Sequence, residues 1–257
     1  TGRRLVHGAP GDARAAAPGC VLPLDARATA RCVCCRSMHV LPPDAWAAIV
    51  INRGFAMSAA DESIIPTPLV LERRRGGAAF LMLNRPLQYN TLSEEMLAAL
   101  QAALDALAAD PSVRVVVLGG AGKAFCAGHD LKQMKSNPSL QYYQRLFDDC
   151  SRLMLRIQSL PQPVIARVHG IAAAAGCQLV AMCDLAIAAD DARFAVSGVN
   201  LGLFCSTPSV ALGRNLGRKA AFEMLVTGEP IDAATALQRG LINRCVPALQ
   251  LDREIDR

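Results

Sequence analysis

The chain reads as an α/β domain, and three observations predict it. Residues 113–118, 164–168 and 185–188 are short, predominantly apolar runs, interrupted only by Arg114 and Arg167, the mark of strands buried on both faces. Helical stripes and cap signals lie between them. Apolar residues make up 52% of the 257 positions and charged residues 19%, which supports a sizeable buried core.

The elements follow in order. Residues 69–72 and 78–83 read as a strand pair around a Gly76-Gly77 turn. Ser93 is a helix N-cap with Glu94 and Glu95 in the first turn. Met96, Leu97, Leu100, Leu104 and Leu107 form one apolar stripe behind it. Residues 140–160 predict a long helix stopped by Pro161 and Pro163, and 176–182 a shorter one. Thr207-Pro208 reads as an N-cap followed by proline at the first helical position. Asp232 caps a short helix that Gly240 ends, and residues 242–246 close as a strand. Strands alternating with helices indicate an α/β fold. No internal repeat is visible.

Composition narrows the function classes. No run of about 18 apolar residues lacks charges, so a membrane span is not expected. The net charge is +5, of which residues 1–56 carry +4 through seven Arg and three Asp. The remainder is nearly neutral, which argues against a nucleic-acid-binding domain. Six of the ten cysteines are scattered through apolar body segments, the usage of reduced, buried thiols rather than a disulfide framework. Cys32, Cys34, Cys35 and His39 are close together, but their spacing matches no zinc pattern, and no metal site is assigned.

Residues 1–56 differ from the rest: rich in Ala, Arg and Pro, poor in acids, without sustained period. They are read as a disordered extension or mis-assigned upstream sequence, with Met57 as the natural start. The alternative is an organelle-targeting peptide, since Arg-rich, acid-poor segments have that composition. The expected address is accordingly cytoplasmic, or the mitochondrial matrix if residues 1–56 are a transit peptide.

Two loops of small residues follow predicted strands. One is Gly119-Gly120-Ala121-Gly122-Lys123-Ala124-Phe125-Cys126-Ala127-Gly128-His129-Asp130-Leu131; the other is His169-Gly170-Ile171-Ala172-Ala173-Ala174-Ala175-Gly176-Cys177-Gln178. Small residues let backbone approach a ligand closely. If the loops lie side by side, one N–H from each converges on a single oxygen, and a thioester carbonyl is a fitting guest. The competing reading is that these residues merely permit tight strand–helix packing.

Several motifs in order resemble the crotonase (enoyl-CoA hydratase/isomerase) superfamily. They are Leu83-Asn84-Arg85-Pro86, the run from Lys123 to Leu131, Gly176-Cys177-Gln178-Leu179, Met182-Cys183-Asp184 and Thr227-Gly228-Glu229-Pro230-Ile231. The resemblance covers about residues 69–250. Gly198-Val199-Asn200-Leu201-Gly202-Leu203-Phe204-Cys205-Ser206-Thr207-Pro208 looks most like the enoyl-CoA hydratase domain-containing protein 3 subgroup and its bacterial relatives. The resemblance implies a crotonase-like ββα superhelix (the ClpP/crotonase fold) over 57–257, assembled as a homotrimer or hexamer. It implies an acyl-CoA thioester as partner, with coenzyme A as part of the substrate and no separate cofactor. Family members usually continue with helices past the region of Pro247, so the C-terminal helices are expected to be missing here.

Carried over residue by residue, the resemblance makes the backbone N–H groups of His129 and Ala175 oxyanion donors. Ala175 stands where glycine is usual, which is tolerable if its backbone angle suits a Cβ. Ala127, Gly128, Asp130 and Leu131 would line the CoA loop, with Leu87 and Tyr89 beside it and Ala174, Ser197, Asn200 and Leu201 toward the substrate. Leu87 replaces a basic residue common in relatives. The two glutamates with which hydratases of this family manage one water fall on Gln178 and Gly198. An amide moves no proton near neutral pH and glycine has no side chain. Ordinary hydration is therefore expected to be weak, and the space above Gly198 is expected to admit a larger acyl group, a water or an anion. Asp130 is expected to cap its loop, Asp184 to serve structure, His169 to be a packed polar residue, and Cys177 and Cys205 to be packing thiols. Three readings remain open: an acyl-CoA enzyme running enolate chemistry, a catalytically weak acyl-CoA-binding oligomer, and a hydratase with a replacement base.

Overall fold

Gly76 and Gly77 take positive φ, 57° and 84°, and so form the two-residue turn that hairpins favour. They join β1 (Val70–Arg75) to β2 (Ala78–Leu83), paired antiparallel from Arg75 opposite Ala78 to Val70 opposite Leu83. A computed structural model describes residues 67–257 of the chain. The readings of residues 1–56, Met57 as start and the Cys32–His39 group lie outside the described residues.

The first strand runs three residues further than expected, through Arg73, Arg74 and Arg75. It is an edge strand, and charged residues suit an edge because they discourage further pairing. Beyond β2 the main sheet is parallel: β3 (Val115–Gly120), β4 (Val164–Val168), β6 (Leu185–Ala189) and β9 (Arg244–Val246). Its order is β1-β2-β3-β4-β6-β9. A three-stranded sheet orders β5 (Ile171–Ala173), β7 (Arg193–Ala195) and β8 (Ile231–Asp232) side by side. The third strand lies two residues later than the apolar run suggested, because Gly119 and Gly120 stay in the ladder opposite Met82 and Leu83.

Helix α1 (Glu94–Ala108) buries its five predicted stripe residues, and the Ser93 hydroxyl accepts the Met96 N–H. Each large apolar side chain contributes about 1.5–3 kcal/mol of transfer free energy, so the stripe holds this helix more than its propensity does. α2 (Leu131–Ser136) is short, and α3 (Leu140–Ser159) is long, capped by Ser139. Helix α3 packs on α1 and on α4 (Ala175–Met182). The remaining helices are α5 (Ser206–Asn215), α6 (Arg218–Thr227), α7 (Ala233–Arg239) and α8 (Leu251–Ile255).

At α5 the predicted cap is displaced. Cys205 holds the cap position without a side-chain bond, and Pro208 is the third helical residue. Proline is tolerated there because first-turn N–H groups have no intrahelical acceptor. Asp232 and Gly240 cap α7 as predicted, with the Thr235 N–H donating to Asp232. On the far face of the main sheet, Leu251 and Ile255 of α8 pack on Val117, Ile187 and Ala189. Arg167 pairs with Asp252 at 2.5 Å beside them, and Arg244 pairs with Glu254.

The fold positions the site through its neighbouring parallel strands. β3 and β4 are adjacent and point the same way, so the loops leaving their C-terminal ends emerge side by side, the usual place for a ligand crevice in such sheets. A Cβ on Gly176, the second residue of α4, would fall 2.1 Å from the Cys126 carbonyl oxygen. Gly176→Ala is therefore expected to lower the unfolding free energy by about 1–3 kcal/mol, read from the urea midpoint. An unchanged midpoint would contradict this close helix–loop contact.

Candidate functional site

Asn90 ties the edge of the site together. It is fully buried at φ 55°, a left-handed conformation that asparagine tolerates better than most residues. Its amide donates to the Ala121 and Ala124 carbonyls at 2.9 and 2.7 Å, and its oxygen accepts the Arg85 N–H at 2.9 Å. The loop after β2 is thus fixed to the loop after β3. The sequence reading assigned Asn90 no role; the only signal was an asparagine after the Pro86 turn. Tyr89, also at positive φ, accepts the Ala127 N–H at 3.0 Å, while its side chain and that of Leu87 face outward. Leu87 is 88% exposed, on a single 3₁₀ turn, Pro86–Gln88.

The loop after β3 then runs beside β5. The Cys126 N–H donates to the Ile171 carbonyl at 3.1 Å and the Ala173 N–H to the Cys126 carbonyl at 2.9 Å. Gly128 follows at φ +92°, where a Cβ would lie 3.0 Å from the Ala173 oxygen, 3.0 Å from the Ala174 Cβ and 3.3 Å from the Ala175 nitrogen. The two small-residue loops therefore touch backbone to backbone. The Leu92 N–H donates to Gly128 and the Asp130 N–H to Leu92, at 2.8 and 3.3 Å, which fixes the peptides on either side of His129. Among the described residues, neither the His129 nor the Ala175 N–H donates a hydrogen bond within the chain.

Asp130 caps α2 as expected, accepting from the Lys132 and Gln133 N–H groups, and pairs with Arg85 at 3.3 Å. Leu131 begins that helix, half exposed. The backbone angle at issue in the second loop belongs to Ala174, not Ala175. Ala174 precedes the helix at φ 49°, ψ −117°, whereas Ala175 is already in its first turn and carries a Cβ without strain. The Ala174 N–H donates to Ala195 and its carbonyl accepts the Gln178 N–H, at 2.8 and 3.0 Å. Between those anchors ψ at Ala174 sets where the next N–H, that of Ala175, points.

Gln178 lies one helical turn after Ala175, on the same face. It is 95% buried, and its side-chain oxygen has no hydrogen-bond partner. Ser197, Gly198, Asn200 and Leu201 share one 3₁₀ turn, Ser197–Leu201, reached directly from Ala195 at the end of β7. The space above Gly198 is not open, contrary to expectation. A Cβ there would lie 2.5 Å from the Leu203 carbonyl oxygen and 2.6 Å from the Cys205 sulfur, because the Leu203 N–H bonds back to the Gly198 carbonyl at 2.9 Å and curls the chain over it. Asn200 packs against Gly228 at the end of α6.

Comparison with known proteins fits this architecture. Residues 73–256 match the family model described as enoyl-CoA hydratase/isomerase. The chain belongs to that family. It is 48% identical over 191 residues to enoyl-CoA hydratase domain-containing protein 3, mitochondrial, of Xenopus laevis, covering 74% of this chain and 65% of that one. The chain thus spans a little under two thirds of that relative's length. A crystal structure of enoyl-CoA hydratase from Mycobacterium smegmatis is similar at 64% identity and TM-score 0.73, covering 74% of each chain. That of human enoyl Coenzyme A hydratase domain-containing protein 3 is similar at 45% identity and TM-score 0.72, covering 74% of this chain and 75% of that one. The crotonase fold expected from the motifs is the fold found. The expected cytoplasmic address has no support in the relatives' names. No helix among the described residues is long and apolar enough to cross a membrane.

Within this family member the thiols and imidazoles divide by burial. Burial pushes Cys126 and Cys177 up to about 12 and also raises Cys205, so these stay neutral thiols and pack, as expected. Asp184 accepts the Val164 N–H at 2.7 Å, a structural role. His169 bonds to the Gly122 carbonyl at 2.9 Å. The His129 ring stands edge-on to Phe147 of α3, centroids 5.4 Å apart, with both nitrogens buried and neither in full hydrogen-bond geometry, the Leu92 backbone being the polar group that acts on the ring. Burial lowers its pKa from 6.5 to about 4.

Two predictions follow from these surroundings. Between pH 6.5 and 4 the unfolded chain takes up a proton at His129 that the folded chain refuses. The associated stability is complete above pH 6.5 and is lost as pH falls toward 4, on the order of 3 kcal/mol. Denaturant unfolding of the wild type should therefore weaken over that window more than that of His129→Phe. Ala174→Gly should raise stability by about 1 kcal/mol by relieving the positive φ, read as a higher urea midpoint with the circular dichroism spectrum unchanged.

Proposed function

We propose that this chain binds an acyl-CoA thioester and polarises its carbonyl with the His129 and Ala175 N–H groups, without two-carboxylate hydration. The observation that carries the reading is the backbone contact between Gly128 and the start of α4, with an unspent N–H following it on each strand of the contact. Donors held by tight packing need no reorganisation when charge builds on a carbonyl oxygen, and one such donor is worth about 2.7–4 kcal/mol in a transition state. The first turn of α4 adds the positive end of the helix dipole. Membership of the enoyl-CoA hydratase/isomerase family supports the thioester as guest. The exposed Leu87 and Tyr89 and the half-exposed Leu131 rim the same edge, where the pantetheine arm would pass.

Proton transfer is the function this geometry withholds. Gln178 is an amide, and the Gly198 position is filled from behind by the Leu203 carbonyl and the Cys205 thiol. The neighbouring Cys177 and Cys205 thiols are held neutral by burial. Enolate stabilisation is retained while the acid–base pair of hydration is not. Gln178 can still orient a water or hold a substrate oxygen. The homotrimer or hexamer expected of this family belongs to the same proposal. On location, the word mitochondrial in the relatives' names favours the organelle alternative.

Stopped assays with crotonyl-CoA test the reading. Hydration is expected at least about 10²-fold below that of an enzyme with both glutamates, while calorimetry detects acyl-CoA binding. A full hydratase rate would sink the absence of proton transfer, and failure to bind any CoA thioester would sink the site. Gly198→Glu is expected to destabilise the protein rather than raise the rate, since its Cβ has no room.

A further inference from the structure

The first proposed donor, the His129 N–H, belongs to the backbone, so its direction follows from how the loop after β3 is fixed. Residues 89–92, at the end of the loop after β2, make that attachment. The Tyr89 carbonyl accepts the Ala127 N–H, the Leu92 N–H donates to the Gly128 carbonyl, and the Leu92 carbonyl accepts the Asp130 N–H, at 3.0, 2.8 and 3.3 Å. Backbone bonds thus grip the loop around His129 itself. Nearer β3 the grip is a side chain: the Asn90 amide donates to the Ala121 and Ala124 carbonyls at 2.9 and 2.7 Å. That amide is itself oriented. Its oxygen accepts the Arg85 N–H at 2.9 Å, and the Asn90 N–H donates to the Arg85 carbonyl at 2.9 Å.

We propose that Asn90 is a positioning residue for carbonyl polarisation: through the loop it holds, its side-chain amide sets the direction of the His129 N–H. The proposal rests on the acyl-CoA reading above. Backbone conformation alone does not explain an asparagine here. At φ 55° a glycine fits better, but it would leave the Ala124 carbonyl bare. Ala124 is 1% exposed, and among the described residues no backbone N–H donates to its carbonyl. A buried acceptor without a donor is costly, so the loop would shift to find one. The packing behind the amide is closed. A Cβ on Gly120 would lie 2.7 Å from the Asn90 amide nitrogen and 2.4 Å from the Phe125 carbonyl oxygen, so only glycine there leaves room for the amide. A displacement of about 0.5 Å is enough to misdirect a preorganised donor.

The experiment binds butyryl-CoA, labelled with ¹³C at the thioester carbonyl, to wild type, Asn90→Gly and Asn90→Asp. Glycine keeps the positive φ and deletes only the amide. Aspartate keeps an acceptor for the Arg85 N–H but offers no donor to the two carbonyls. Wild type is expected to move the bound carbonyl resonance downfield of that of free ligand, the signature of a polarised carbonyl. Both variants are expected to lose about half or more of that shift, one of two donors being misdirected, with the circular dichroism spectrum unchanged. A merely structural asparagine would lower the unfolding midpoint and leave the bound carbonyl where wild type puts it. That outcome overturns the proposal and leaves the acyl-CoA reading standing. A measurement on ligand-free wild type needs no variant to fold. The Asn90 side-chain amide protons should exchange with solvent at least about tenfold more slowly than those of an exposed asparagine, and exchange at the exposed rate also overturns the proposal. No binding of butyryl-CoA to wild type, or binding with an unmoved carbonyl resonance, removes both readings.

Discussion

The contact between Gly128 and the segment Ala173-Ala174-Ala175 is the constraint around which the rest of this structure is arranged. Two loops, each leaving a parallel strand, must meet backbone to backbone with no side chain between them. Adjacent strands β3 and β4 supply the common origin and direction. The Cys126–β5 hydrogen bonds then zip the loops together for three residues, and Gly176 lets α4 rest on the Cys126 carbonyl. Asn90 holds the first loop with two side-chain hydrogen bonds and ties it to Arg85 with a third. None of these groups is large or charged. The arrangement is held by fit and by backbone pairing, and the apolar core beneath it, packed by α1 and α3, supplies the free energy that the fit consumes.

That consumption has identifiable sites. An alanine at φ 49°, ψ −117° costs of order 1–3 kcal/mol, and the buried, unpaired atoms of His129 and Gln178 add desolvation penalties of similar size. These groups gather within one helical turn and one loop, while Asp184, Asn243 and Asn215 are paired at 2.7–2.8 Å elsewhere in the fold. Unpartnered buried atoms also occur away from these loops, at Thr91, Gln101, Tyr142 and Gln162 among others, so what distinguishes this place is that a strained alanine and unspent polar groups lie close together, a combination expected where backbone is held ready for a ligand.

What was legible in the sequence was what depends on neighbours along the chain. The α1 stripe, the buried run of β4, the Ser93 and Asp232 caps and the Gly76-Gly77 turn each follow from a few adjacent residues. The motif resemblance added the order of the loops. Contacts made at a distance were not legible. Asn90 reaches residues more than thirty positions away, and nothing near it in sequence announces that reach. Gly198 looked like a gap because glycine lacks a side chain, yet the Leu203 carbonyl fills the space from behind. The strained alanine was misplaced by one residue for the same reason: the first helical residue is set by the Ala195 and Gln178 hydrogen bonds, not by the alanine run.

The filled space at Gly198 changes how the missing carboxylates are to be understood. If glycine simply left a void, Gln178 and Gly198 would be two independent losses, each reversible by one exchange. The Leu203 carbonyl and Cys205 thiol make the second loss a property of the whole 203–205 turn, which α5 continues. Restoring a glutamate there requires that turn to move, and Cys205 is 92% buried against α4 and α5. On the proposed reading, carbonyl polarisation and proton transfer are then physically separable. The first resides in the backbone contact of two loops, and the second needs side chains and the room to hold them. General acid–base catalysis is worth about 10²–10⁴-fold, or roughly 3–5 kcal/mol, comparable to one oxyanion donor. A chain that keeps the donors and loses the carboxylates therefore retains a large share of the means to bind and activate a thioester. On that reading the choice of reaction passes to whatever the acyl group itself brings into contact with Gln178.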